Sequence, residues 1–282
     1  MRFADFQSLR TWNIRVRGEF LVCSYARMII PTQYLSEIRL KTEAVPSFEH
    51  YPFSLPAVRH LDVLQLHPAV TFFVGENGSG KSTLLEAIAV ASGFNAEGGS
   101  KNFRFDTRPS HSELHRYLRI AKGVERPRDG FFFRAESFFN VATEIERLDS
   151  DGRGPRILDS YGGHSLHEQS HGESFLALML NRFGGQGLYL LDEPEAALSP
   201  QRQLAVLVRL HDLVQDHSQF IIATHSPILM AYPNAHIYQF SQDRITTLDY
   251  YETEHYRVMH DFLANPKRML SVLLAPPSAA EA

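Results

Sequence analysis

The chain has 282 residues, of which 44% are hydrophobic and 21% charged, enough apolar content for a large domain with a proper core. A net charge of −4 excludes wholesale electrostatic attraction to nucleic acid, so any such contact would need a local basic patch. Cys23 is the single cysteine, which excludes an intramolecular disulfide or a multi-cysteine zinc site and fits a cytoplasmic protein.

Residues 1–27 match no regular element, and their longest apolar stretch, Phe20-Leu21-Val22-Cys23, is too short for a signal core or a membrane span. We expect a loose extension there, a folded unit over 28–274, and a disordered tail over 275–282 containing Ala275-Pro276-Pro277. Tyr34 to Leu40 alternates as a strand should. The run Ala69-Val70-Thr71-Phe72-Phe73-Val74 reads as a buried strand that feeds Gly75-Glu76-Asn77-Gly78-Ser79-Gly80-Lys81-Ser82, after which Thr83-Leu84-Leu85-Glu86-Ala87-Ile88 continues as a helix.

That strand–loop–helix with G-x-x-x-x-G-K-S is a phosphate cradle. Its glycines let backbone N–H groups turn inward toward phosphate oxygens, and the helix start adds unpaired donors. Lys81 supplies a point charge and the Ser82 hydroxyl a ligand for Mg²⁺, so Gly75 to Thr83 is expected to bind a nucleoside triphosphate.

Between 107 and 170 the pattern suggests a short helical lobe. Ser110-His111-Ser112-Glu113 has the form of a capping box. His111 and His115 are spaced i, i+4 but lack a visible third metal ligand. Arg116, Arg119 and Lys122 would form one helical stripe, mostly a solvated face and otherwise a docking surface for DNA or an acidic partner. Val124 to Gly130 and Asp149 to Pro155 read as connectors, and Phe131-Phe132-Phe133-Arg134-Ala135-Glu136 as strand-like.

Gly172-Glu173-Ser174 imitates the first half of a serine-hydrolase elbow, but Leu176 stands where the second glycine is needed and a polar loop precedes it. A buried strand, Gly187-Leu188-Tyr189-Leu190-Leu191, ends in Asp192-Glu193, the edge where parallel sheets bind ligands. There Asp192 is placed to reach Mg²⁺ and Glu193 to orient a water. Ser199-Pro200 opens a helix with Leu204, Leu207, Val208, Leu210, Leu213 and Val214 at helical spacing. A further strand, Gln219 to Thr224, ends in His225 and is expected beside the Asp192 strand.

Together these motifs resemble the ABC class of ATPases. "GENGSGKS" looks like its Walker A loop, "LYLLDEPEAALS" like Walker B with Glu193 as base and Ala196 to Ser199 as the D-loop, and "ATHS" like the switch-histidine segment with His225. Gln169-Ser170-His171-Gly172-Glu173 occupies the place of the signature sequence. The resemblance implies an α/β P-loop fold with a mainly parallel sheet, an antiparallel β subdomain and a helical lobe. It also implies ATP and Mg²⁺, and a homodimer in which Ser170 and Gly172 face the γ-phosphate held by a second copy. Glu136 stands where the class carries its Q-loop metal ligand, as a departure from the usual glutamine.

Only 89 residues separate Lys81 from Ser170, leaving no room for the long coiled coils of SMC heads. The segments "YPFSLPAVRHLD", "NFRF", "RAESFFN" and "HYRV" resemble small stand-alone bacterial ATPases of the AAA-15/ABC type over Ile30 to Leu274. Three functions stay open at this level: a soluble ATPase of DNA maintenance or phage defence, the motor subunit of a membrane transporter that does not itself insert, or a slow ATP-dependent switch.

Overall fold

The computed structural model describes residues 33–101, 112–150, 156–163, 165, 167 and 171–275, with the side chain of residue 171 set aside. In chain order the elements are β1 (Leu35–Leu40), α1 (Pro56–Arg59), β2 (Val63–Gln65), β3 (Val70–Gly75), α2 (Lys81–Ala91), α3 (Leu114–Tyr117), β4 (Leu118–Lys122), β5 (Asp129–Arg134), α4 (Phe138–Ser150), α5 (His171–Ala177), β6 (Gly187–Asp192), α6 (Pro200–Gln215), β7 (Gln219–Ala223), α7 (Pro227–Met230), β8 (His236–Phe240), β9 (Ile245–Thr247), α8 (Glu254–Ala264) and α9 (Pro266–Leu273). The tail expected over 275–282 lies outside the described residues save Ala275, and so does the extension over 1–27.

Six strands form the central sheet in the order β5-β6-β7-β3-β8-β9, parallel throughout except for antiparallel β9 at one edge. Its middle strands read as unbroken apolar runs because helices cover both faces. Alternation then sorts neighbouring side chains to opposite sides. Phe72, Phe131, Phe133, Tyr189 and Leu191 join the core beneath α4, α5 and α6, while Phe73, Phe132, Leu188 and Leu190 join the core beneath α2. Each such fully buried aromatic or leucine contributes about 1.5–3 kcal/mol.

The second sheet, β2-β1-β4, is antiparallel and is the expected β subdomain. Gln219, fully buried at the start of β7, ties it to the central sheet. Its Oε1 accepts from the N–H groups of Tyr34 and Leu35, and its Nε2 donates to the carbonyls of Leu35 and His67. A buried amide with its bonds made fixes register without the penalty of an orphaned group.

Three expectations need correction. The first helix after α2 is shorter than the pattern suggested: α3 has only four residues, its N-cap is Glu113 without a side-chain bond, and β4 follows at once. The expected capping box puts the N-cap at Ser110, which with His111 lies outside the described residues; the described helix has Glu113 as N-cap and starts at Leu114. Arg116, Arg119 and Lys122 are not a helical stripe, since Arg116 lies on α3 while Arg119 and Lys122 lie three apart on strand β4, where that spacing alternates faces. The connector expected over Val124 to Gly130 ends earlier, because Asp129 and Gly130 already belong to β5.

On α6 the cap is as expected, with Ser199 Oγ accepting from Arg202 N at 3.4 Å and Pro200 in the first turn. The buried face is Val206, Leu210, Leu213 and Val214, whereas Leu204 and Val208 are each 56% exposed. At 100° per residue, positions 204 and 208 lie on the far side of the helix from 206 and 210.

Candidate nucleotide site

The loop between β3 and α2 is shaped by backbone that only glycine tolerates well. Gly75 has φ +142°, and a Cβ there would sit 2.3 Å from the Phe240 carbonyl oxygen. Gly80 has φ +94° and serves as N-cap of α2 with no side-chain cap bond to the helix's first N–H groups. Lys81 folds back beneath the loop, its Nζ donating to the Gly75 carbonyl at 2.7 Å and the Glu76 carbonyl at 2.8 Å. Burial lowers its pKa, opposed by the nearby Glu193 and Asp192 carboxylates.

The parallel register then carries β6 to the same edge. Ser82 Oγ donates to Asp192 Oδ1 at 2.9 Å. Burial pushes the Asp192 carboxyl up to about 6, against Arg134 and the Ser82 hydroxyl, which favour its ionised form. Arg134 at the end of β5 stands 3.7 Å from Asp192 and 2.6 Å from Glu86 of α2. It also lies 3.7 Å from Glu136, whose side chain is 88% exposed on the turn after β5. Glu136 thus reaches the same sheet edge but faces solvent.

Glu193 follows Asp192 in a left-handed conformation, φ +50°, with its N–H donating to the Ala223 carbonyl of β7 at 2.9 Å. That kink turns its carboxylate toward His225, leaving Oε1 3.7 Å from His225 Nε2. His225 is fixed from two sides: its backbone N–H donates to Glu195 Oε1 at 2.6 Å, and its Nδ1 lies 3.0 Å from His255 Nε2 on α8. Burial, with Lys81 and His255 nearby, lowers the His225 pKa to about 4. Burial raises the pKa of the Glu195 carboxyl, and its Oε2 has no partner among the described residues. A cleft of about 570 Å³ opens beside these groups, lined by Glu76, Asn77, His225, Pro227, His255 and Met259 among others.

At the start of α5, Gly172 backs directly onto Ala197: an added Cβ would meet the Ala197 carbonyl oxygen at 2.3 Å. Glu173 pairs with Arg202 of α6 at 2.9 Å. Gln169, Ser170 and His111 lie outside the described residues. His115 Nδ1 is 3.2 Å from the Ser112 carbonyl.

The donor set suits a triphosphate with Mg²⁺. Ser79 Oγ is buried without a partner in the loop, and the space a Cβ would take at Gly78 is open to 4 Å. Among the described residues no three His, Cys, Asp or Glu side chains converge to hold a metal alone. A hydroxyl plus one carboxylate, completed by phosphate oxygens, is the usual complement for Mg²⁺.

Sequence reasoning missed Arg134, Glu86, Glu195 and His255. A lone acid within the apolar run Leu84-Leu85-Glu86-Ala87-Ile88 was the available signal for Glu86, and "HYRV" contained His255 without saying where it would sit.

A strand, a glycine loop closing over a lysine, and a helix, with a strand-end aspartate bonded to the following serine, define a P-loop nucleotide-binding protein. A protein-family model described as "AAA domain" matches residues 47–163. A second, described as "AAA domain, putative AbiEii toxin, Type IV TA system", matches residues 165–231. No curated protein matches the chain by sequence. Among solved structures, the SMC head domain from Thermotoga maritima is 18% identical with a TM-score of 0.40, over 77% of this chain and all of that one. An inward-facing ABC transporter of metal-chelate type is 18% identical, TM-score 0.45, over 81% and 88%. CbiO1 from Clostridium perfringens, part of an ABC transporter complex, is 18% identical, TM-score 0.41, over 76% and 90%. The two AAA-type family matches thus span the phosphate loop on one side and the Asp192 and His225 strand ends on the other, in keeping with a P-loop nucleotide-binding fold.

Proposed function

We propose that the protein binds ATP with Mg²⁺ and hydrolyses it to ADP and phosphate, working as a nucleotide-gated homodimer. The observation that carries this is the convergence of four groups on one sheet edge: Ser82 bonded to Asp192, with Glu193 next in sequence and 3.7 Å from His225. Gly75 to Thr83 cradle the phosphates, and Lys81 leaves its two loop carbonyls to face the β- and γ-phosphates. Ser82 and Asp192 hold Mg²⁺, with Glu136 as the further ligand from the turn after β5. The metal supplies charge neutralisation at the phosphates when bound.

Glu193 takes a proton from the attacking water, a task for which a half-buried carboxylate at the strand end, 3.7 Å from His225, is placed. His225 holds the water and the γ-phosphate in line with it. Ser170 and Gly172 complete the site of a second copy. Phage defence through a toxin–antitoxin type of control is favoured over DNA maintenance by the description attached to residues 165–231. Among the described residues no helix is long and apolar enough to cross a membrane. Arg116, Arg119 and Lys122, now divided between α3 and β4, remain candidates for contact with DNA or an acidic partner.

Phosphate release with MgATP tests the reading. Glu193→Gln should cut kcat by roughly 10²–10⁴ while leaving ATP bound. Unchanged turnover in that variant would place the base elsewhere.

A further inference from the structure

We propose that His255 is a positioning residue for ATP hydrolysis: by donating its Nε2–H to His225 Nδ1, it holds the switch histidine in the tautomer whose proton sits on Nε2, facing Glu193 and the phosphate side. This rests on the reading of His225 as the residue that faces the γ-phosphate.

The geometry offers two neutral arrangements, because Nδ1 of His225 and Nε2 of His255 are 3.0 Å apart and exactly one of them must carry the shared proton. The remaining ring nitrogens, Nε2 of His225 and Nδ1 of His255, are both buried without a hydrogen-bond partner among the described residues. If His225 donated, its bare Nε2 lone pair would point at the Glu193 carboxylate 3.7 Å away, and His255 would bury an orphaned N–H at Nδ1. If His255 donates, the Nε2–H of His225 points at that carboxylate and the only group left over is a bare acceptor on His255. Both differences favour the second arrangement, since like poles are kept apart and a buried orphan donor is avoided. A doubly protonated pair is disfavoured by burial and by Lys81, which lower both histidines' pKa values.

His255 is also held firmly enough to set a tautomer. It lies in the first turn of α8, where Thr253, fully buried, caps the helix by accepting from Tyr256 N and donates to the Tyr250 carbonyl at 2.8 Å. Tyr256 packs on Tyr250 and His260 with ring centroids 4.8 Å and 5.4 Å apart. Farther along, α8 and α9 bury no residue, so this first turn is where the C-terminal pair of helices is anchored. The bond from His255 therefore links that anchor directly to the hydrolytic edge.

The test uses the full chain labelled with ¹⁵N-histidine, with the His225 resonances identified by their loss in His225→Gln. In the nucleotide-free wild type the His225 ring should show a protonated Nε2 and a bare Nδ1. His255→Leu should mix the tautomers and lower kcat about tenfold at nearly constant ATP affinity, the scale of one positioned polar group. His255→Gln, which keeps an N–H donor, should restore the Nε2–H tautomer and at least about a third of kcat. His255→Glu, which when ionised only accepts, should drive the proton to Nδ1. A wild-type His225 protonated on Nδ1, or His225 resonances indifferent to all three substitutions, would overturn the proposal. If the leucine variant does not fold, the glutamine and glutamate pair decides it alone. Absence of hydrolysis in the wild type would count against the ATPase reading, whereas the resonances would still settle which ring donates.

Discussion

The P-loop edge and the start of α5, the two regions proposed to meet phosphate, are built in opposite ways. At the P-loop edge the charged groups are already answered within the chain: Lys81 by loop carbonyls, Asp192 by Ser82 and Arg134, His225 by Glu195 and His255. At α5 the contacts run backwards, with Gly172 against the Ala197 carbonyl and Glu173 on Arg202. In the proposed reading the first region grips its own ligand. The second is braced from behind on the D-loop and α6, as a surface offered to another molecule would be.

Substitutions at the two regions should therefore separate binding from shape. MgATP at a hundredfold excess over Kd adds about 2.7 kcal/mol of stability, or on the order of 5–10 °C in Tm for a chain of this size. Lys81→Ala should abolish most of that shift with little change in the ligand-free Tm. An undiminished shift by differential scanning fluorimetry would move the nucleotide away from this loop. Gly172→Val should behave the other way round, because its Cβ would enter the Ala197 carbonyl at 2.3 Å. Forced repacking there should lower the ligand-free stability by about 1–3 kcal/mol while the MgATP shift persists. Equal loss of shift in both variants would erase the distinction.

Acid should sharpen the same contrast by a smaller amount. His225, lowered from 6.5 to about 4, and His255, also lowered by burial, titrate near their ordinary value only when unfolded. Between about 6.5 and 4 the unfolded chain therefore binds more protons, and these two residues cost stability as pH falls. Asp192, raised from 3.8 to about 6, works oppositely, because the folded state binds its proton first and relieves the burial of its charge. Thermal melts from pH 7 to 5 should show a shallower loss for a His225→Gln/His255→Gln variant than for the wild type. The Gly172→Val variant should keep the wild-type slope. Identical slopes in all three would mean that the histidine pair is not buried as described.

How far the sequence carried this account depended on whether the determining contacts were local. Gly75 to Ser82, Asp192 with Glu193, and His225 could be placed because each motif sits at a strand end and a parallel sheet collects such ends on one edge. On α6 the pattern caught Leu210, Leu213 and Val214 of the buried face, but Leu204 and Val208 extend it onto solvent, and only packing against the sheet selects Val206. β4 was taken for helix because its residues carry no alternation strong enough to override a basic i, i+3 pattern, and its strand state comes from pairing with β1, some eighty residues away in sequence. Arg134 and His255 were invisible for the same reason. Their importance lies wholly in partners on other elements, Glu86 and Asp192 for one and His225 for the other.

The claim that joins the two regions is that the α5 end of one copy meets the nucleotide held by the P-loop of another. Light scattering after size exclusion on Glu193→Gln tests it most directly. This variant should run as a dimer with MgATP and as a monomer with MgADP or without nucleotide, and adding Ser170→Arg should leave it monomeric with MgATP while its thermal shift persists. A dimer that ignores nucleotide, or a monomer under every condition, would contradict the account.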